Sequence, residues 1–350
     1  MKSTLLSVAS AAVFAAGVAH AGGTERQGDP TQILFEKGRN YLEFSAAHVS
    51  PDISGVSNGA PGGATGNMTR AYQSFAMGYK TQINDRLALA FVINEPVGAS
   101  VRYQQPGAFF FGSFADLSSI AFTAMGKYQV ADRISVYGGL RYQGVGGTLR
   151  IQTLVGPPYA LSVDKDYRLG YILGAAYEIP DIALRLALTY ESEIEHKYFD
   201  NSGNRFTLKI PQSWTLNAQT GIAANTLLFG SVRWREWTAF NLSPPEFPAN
   251  PIAAGTSDVI TYKLGVGRKF SDDWSGAFIV GYEKQEGKRV GNLSGTDGYM
   301  SYALAATYET ESYEITTAVS YFDVGSAGTS VANFSGNDAI AVGMKVGFRF

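Results

Sequence analysis

The chain has no cysteine in 350 residues and only 3 histidines. Without thiols it forms no disulfide and offers no thiolate metal site or thiol nucleophile. Charged residues make up 17% and the formal net charge is −2. With no basic excess to neutralise a phosphate backbone, nucleic acid is excluded as a partner. Long apolar runs are equally scarce. The one at the amino terminus, Leu5 to Val18, follows Lys2 and precedes Ala19-His20-Ala21. That pattern is a secretory signal peptide with an A-x-A cleavage site, so residues 1–21 are expected to be removed. Beyond it nothing approaches the roughly 18 uninterrupted apolar residues of a membrane-spanning helix, so any passage through a membrane would have to use strands.

Catalytic groupings are also thin. After the signal, only His48 and His196 remain. Glu193, Glu195 and Asp200 lie near His196, but no nucleophile or second acid is spaced to work with it. We expect a charged loop end in solvent there. One histidine among flexible carboxylates lacks the geometry of a metal site. Gly59-Ala60-Pro61-Gly62-Gly63 does not join a strand to a helix and reads as a flexible loop rather than a phosphate cradle. Neither an enzyme nor a metal or soluble cofactor is expected.

What the chain does have is alternation. In Ala339 to Phe350, Ile340, Val342, Met344, Val346, Phe348 and Phe350 share one parity, while Ala339, Ala341, Gly343, Lys345, Gly347 and Arg349 take the other. Successive strand side chains point to opposite faces, so this is a strand with one apolar and one small or basic face. Leu87 to Ile93, Tyr167 to Tyr177, Ile182 to Tyr190 and Ile260 to Val266 repeat the pattern in runs of about ten residues, enough for a tilted strand to cross a bilayer. Six short turns, near 83–86, 130–133, 179–181, 224–225, 271–273 and 309–312, alternate with seven long loops near 50–69, 96–116, 153–164, 196–208, 240–258, 287–298 and 325–337. The sum is an all-β, antiparallel transmembrane barrel of about 14 strands, with short periplasmic turns and long external loops. The 20 tyrosines, 21 phenylalanines and 40 glycines suit interfacial girdles and tight turns. The expected location is the outer membrane of a Gram-negative bacterium. Lipid would surround the apolar face, and Phe350 would be the terminal signal for the barrel-assembly machinery.

Three stretches then resemble a known family. Ile210-Pro211-Gln212-Ser213-Trp214, with Trp234, Trp237 and Phe240 spaced as W-x-x-W-x-x-F, is similar to one strand start and the strand end that follows. Ile83-Asn84-Asp85-Arg86-Leu87 through Asn94-Glu95-Pro96-Val97-Gly98-Ala99 is similar to the third strand and its proline-glycine turn. Ser119 to Gly147 is similar to the central hairpin. The family is that of the outer-membrane long-chain fatty acid and hydrocarbon transporters of the FadL/TodX type. The resemblance implies a barrel closed by a small amino-terminal plug, passive capture of a hydrophobic small molecule in an external groove, and sideways release beside a kinked third strand. Such a route spares an acyl chain both an aqueous pore and the polar sugar layer outside. It assigns the kink to Asn94, Pro96 and Gly98, and a plug to residues 22–38 with Asp29, Pro30 and Phe35, ahead of a barrel over 39–350. The family's Asn-Pro-Ala plug sequence is absent; Thr31 to Gly38 stands in its place.

For substrate contacts, Phe109, Phe110 and Phe111 in the second long loop and Phe247 in the proline-rich fifth are candidates for groove walls, since consecutive aromatics are unexpected in solvent. Loop packing would explain them equally. Lys127, Arg141, Arg185 and Lys263 fall on the inward parity and are candidates to meet a fatty-acid carboxylate, with Arg185 expected to pair with Glu191. A general diffusion porin with an open aqueous lumen and a structural or adhesive barrel are the alternative functions.

Overall fold

A computed structural model describes residues 24–58, 62–108, 110–153, 156–247, 249 and 251–350; the signal segment and Phe109 lie outside them. Alternation dictates what these residues form. A strand with one apolar face can be buried in lipid only if every backbone group is paired, and closing the sheet on itself leaves no edge. The chain makes such a closed antiparallel sheet. Its barrel strands, in chain order, are β1 Asn40–Asp52, β2 Tyr72–Gln82, β3 (split into Leu87–Asn94 and Gly98–Arg102), β4 Phe114–Ala131, β5 Ile134–Ile151, β6 Tyr159–Ile179, β7 Leu184–Glu191, β8 Ser213–Ala223, β9 Thr226–Arg235, β10 Val259–Lys269, β11 Trp274–Glu283, β12 Tyr299–Glu309, β13 Tyr313–Val324 and β14 Asn337–Arg349. Each pairs with its sequence neighbours, and β1 pairs with β14 to close the ring of 14. Counting the two parts of β3 as one strand gives the expected even number.

The parity is as expected. Along β14, Ile340, Val342, Met344 and Phe348 are exposed toward lipid, and Ala339, Ala341 and Lys345 are buried toward the lumen. Register lines up aromatics as girdles. On the outer side, Tyr171, Tyr190 and Trp214 succeed one another at ring distances of 5.8 and 4.9 Å, and on the periplasmic side Trp274, Tyr308 and Tyr313 do so at 5.1 and 6.1 Å.

Three strands depart from the expected length. β4 and β5 run for 18 residues and β6 for 21, about twice the bilayer requirement. The surplus projects outward as a wall. A hairpin of Ile194–Phe199 and Arg205–Ile210 stands against β6 and caps that side of the mouth. His196, expected in solvent, is instead fully buried in this hairpin, with Nδ1 2.8 Å from the carbonyl oxygen of Asp166.

The lumen is filled in three layers. On the periplasmic side, a short 3-10 helix at Pro30–Phe35 inserts Ile33, Leu34 and Phe35 against Tyr41, Ala90, Val92, Met125, Tyr137 and Ile172. Each of the three buries enough apolar surface to contribute about 1.5–3 kcal/mol. Asp29 starts this turn, accepting from the backbone N–H and the hydroxyl of Thr31, as an N-cap does. Gly78 lets the plug come close, since a Cβ there would meet the end of Ile33. Above lies a layer of paired ions, and above that an apolar cluster beneath the external loops.

The lipid face gives a direct test. Leu304, in the middle of β12 and 66% exposed, should tolerate Leu304→Arg poorly, by about 2–4 kcal/mol for a cation near the bilayer midplane. Urea unfolding of the barrel in liposomes reads the loss; an unchanged midpoint would place that face away from lipid.

Candidate functional site

The kink in β3 is the place where the barrel wall is incomplete. Below it, Met77 to Gln82 of β2 pair with Ile93 to Ala88 of β3. Beyond Ile93 this pairing stops, because Pro96 has no N–H to donate and the chain steps out of register through Glu95-Pro96-Val97. The second part of β3, Gly98–Arg102, remains on β4. The unpaired groups find other partners, as a buried backbone requires. On the β4 side, the hydroxyl of Ser119 accepts from the Val97 N–H at 2.9 Å and donates to the Val97 carbonyl at 2.5 Å.

On the β2 side the gap is filled by Thr24 to Gln27. Glu25 and Val97 form an antiparallel bridge; the Arg26 N–H donates to the Pro96 carbonyl at 3.0 Å and the Gly98 N–H to the Thr24 carbonyl at 2.7 Å. Gln27 accepts from the Glu95 N–H at 2.8 Å and reaches across to β2, donating to the Ser74 hydroxyl at 2.6 Å and the Phe75 carbonyl at 3.0 Å. The Arg26 guanidinium lies over the Tyr72 ring at 4.2 Å and occupies the space a side chain at position 98 would need. Asn94 is buried with its side-chain oxygen unpartnered. The sequence signalled the kink through Pro96 and Gly98. Ser119 and the four stopper residues carried no comparable signal.

Charge fixes the stopper. Arg141 and Glu191 pair at 2.5 Å, Arg233 reaches Glu191 at 3.1 Å and Glu25 at 2.9 Å, and Arg235 reaches Glu25 at 3.3 Å. The expected Arg185–Glu191 pair does not form. Six residues apart on one strand, the two are separated by about 20 Å. Arg185 instead donates to Gln32 of the plug at 3.1 Å and lies 4.5 Å from the Phe35 ring, with Lys127 at 4.4 Å from that ring. Asp29 accepts from Asn217 at 2.9 Å. Lys263 lies between Ser231 of β9 and Gly281 of β11.

Above the ion layer is a cavity of about 1310 Å³, counting its open mouth. Leu149, Leu161, Phe206, Leu208, Trp237 and Phe240 give it apolar walls, and its lower rim includes Thr24, Ala99 and Val101. The stopper and the upper part of β3 are therefore also walls of the cavity. Lys127, Arg141, Arg185 and Lys263 do not line it among the described residues. Phe110 and Phe247 belong to the packed cluster around it, in contact with Tyr103 at 5.6 Å and Tyr159 at 4.9 Å between rings. Phe111 is 48% exposed at the surface.

A closed barrel with a plugged lumen, an external apolar cavity and a mended gap in its wall has the architecture of an outer-membrane channel. Residues 14–286 match the model of the outer membrane protein transport protein family (OMPP1/FadL/TodX), and the chain belongs to that family. Solved structures share its fold. A Pseudomonas aeruginosa FadL homologue aligns with a TM-score of 0.75 at 15% identity, over 92% of this chain and 93% of that one. The P. putida toluene transporter TodX aligns at 0.68 and 13%, over 92% of each chain, and the Ralstonia pickettii toluene transporter TbuX at 0.63 and 12%, over 92% of each chain. No curated protein sequence matches. The family places the protein in the outer membrane, where it takes up hydrophobic small molecules.

Two outcomes are expected. Gly98→Val should evict the Arg26 side chain and loosen the stopper, so that trypsin cleaves after Arg26 in a barrel that still shows the heat-dependent gel shift of a folded one. Continued resistance would mean that the close approach of Gly98 does not hold the stopper. Burial holds the His196 imidazole below its usual range, with hydrogen bonding to Asp166 opposing. The unfolded hairpin therefore binds the proton more readily, so its stability is complete above about pH 6.5. It is lost as pH falls through the lowered folded value. Exchange protection across 194–210, corrected for the intrinsic rate at each pH, should fall as pH is lowered from 7 to 5, and His196→Phe should remove that fall.

Proposed function

We propose that the protein takes up long hydrophobic molecules, acyl-chain compounds among them, by passive diffusion. They are captured in the cavity beneath the external loops and released sideways into the membrane between β2 and β3. The observation that supports this most directly is the shared position of Thr24, Ala99 and Val101. They border the cavity, and they belong to the stopper and to the strand beside the gap. Withdrawal of Thr24–Gln27 would join cavity to gap without disturbing the barrel ladder, which is already broken there. It costs the stopper's hydrogen bonds, at about 0.5–1.5 kcal/mol net each, and the Glu25 pairs with Arg233 and Arg235, so a bound ligand has to favour the withdrawn state. Downward passage is a poorer route for an apolar chain, because the plug and the ion layer fill the lumen. Asn94, Pro96 and Gly98 are the lateral opening in this reading, with Asp29, Pro30 and Phe35 anchoring the plug behind it.

The absence of cysteine makes a clean test available. Glu25 and Val97 are a non-hydrogen-bonded antiparallel pair, for which the Cα separation is about 4.5 Å, within disulfide range. The Glu25→Cys/Val97→Cys barrel should take up a hydrophobic probe when reduced and stop when oxidised, with uptake restored by reductant. Equal uptake in both states would remove the lateral route.

A further inference from the structure

Resting on that reading of the cavity, we infer that its preferred occupant is an uncharged amphiphile, an apolar chain with one hydrogen-bonding head such as an alcohol, ketone or ester, and that ionised carboxylates are disfavoured. The first ground is charge. Among the described residues, the ionisable side chains of the lining are Asp116, Glu286, Asp297 and Lys284, three carboxylates against one ammonium. The ammonium is engaged, with Lys284 Nζ 3.3 Å from Glu286. Asp116 accepts from Ser100 at 2.6 Å and from Arg102 at 2.8 Å, and Asp297 accepts from the backbone N–H groups of Glu286 at 3.0 Å and Gly287 at 2.7 Å. The nearby arginines of the ion layer, Arg233 and Arg235, are held by Glu25 and do not reach the lining. A carboxylate entering this space would lose water, meet Asp297, which is held by backbone N–H groups rather than by a cation, and find Lys284 and Arg102 already paired with Glu286 and Asp116, which is costly in a low-dielectric site.

The second ground is hydrogen bonding. Four hydroxyls on lining residues, those of Thr24, Ser257, Ser294 and Thr296, have no hydrogen-bond partner and are tucked into the wall, where a turn of the side chain would bring them to the cavity. Thr24 is 8% exposed. An unsatisfied buried hydroxyl costs free energy, so such groups in a native structure call for an explanation. Hydroxyls both donate and accept, so they suit an alcohol or carbonyl head and add nothing for a plain alkane. Thr24 also sits on the stopper, so a head group bonded to it would act where release begins.

Trp237 lines the cavity and reports occupancy. In nanodiscs at pH 9, bromododecanol, bromododecanoate and bromododecane quench tryptophans they approach, and Trp237→Phe subtracts the contribution of the others. Bromododecanol should quench Trp237 at a concentration about tenfold below bromododecanoate, the factor that 1.4 kcal/mol of discrimination gives. Glu286→Gln, which releases Lys284, should narrow that ratio by about threefold to fivefold, the worth of one exposed ion pair. Thr24→Val should bring the alcohol toward the bromoalkane by about fivefold, the worth of one hydrogen bond. Bromododecanoate quenching as well as the alcohol would overturn the inference and leave the transport reading intact. Failure of all three probes to reach Trp237 would overturn both.

Discussion

Ion pairing inside a water-poor barrel is the constraint on which the rest of this structure depends. A cation on the lumen face of a strand cannot be left without a partner, since removing one member of a buried pair costs about 3–5 kcal/mol. β9 sends Arg233 and Arg235 inward and β5 sends Arg141, and the carboxylate of the wall that meets them is Glu191 of β7, pairing with Arg141 and Arg233. Glu25 of the amino-terminal segment brings the further carboxylate. The periplasmic end repeats the device. Lys345 of β14 is reached by Glu314 of β13 at 2.9 Å, by Glu36 of the plug at 3.5 Å and by Glu43 of β1 at 3.8 Å, and Arg349 pairs with the same Glu314. The barrel wall and the plug are thus each electrostatically incomplete alone.

This arrangement explains how a segment without regular structure occupies a defined place. Thr24–Gln27 has no fold of its own and is held by two anchors, the Glu25 pairs within it and the apolar turn at Ile33 to Phe35 that follows. Each hydrogen bond it makes to β2 or β3 is weak net of water. The anchors set where it sits, and the Glu25 pairs together with the weak bonds set how easily it leaves.

The strand plan was legible in the sequence because lipid enforces parity. Ile340, Val342 and Met344 had to face one way, and turns such as Ile83–Arg86 had to be short. Pro96 and Gly98 betrayed the kink for the same local reason: one removes a donor and the other admits a close neighbour. Parity says which face a residue takes but not what sits across the lumen. Arg185 was matched with Glu191 by proximity in sequence, whereas its partners Gln32 and Phe35 come from more than a hundred residues away. The outward extensions of β4 to β6 were hidden because alternation continues unchanged when a strand leaves the bilayer. His196 was read as solvated for want of any local sign that a hairpin would fold over it, and the cavity, assembled from the stopper, loops and strand ends far apart in the chain, had no contiguous signature.

The stacking of layers also bears on direction. In the proposed route, an apolar chain that has entered from outside rests among Leu149, Phe206 and Trp237, with the ion layer beneath. Going down would separate Arg233 from Glu25 and place a chain beside charges it cannot solvate. Going sideways exchanges one apolar surrounding for another, at the cost of the stopper's hydrogen bonds and of the Glu25 pairs that hold it. The ions that fix the plug therefore also close the lumen to an apolar chain, and through Glu25 the same charges hold the stopper in the gap of the wall.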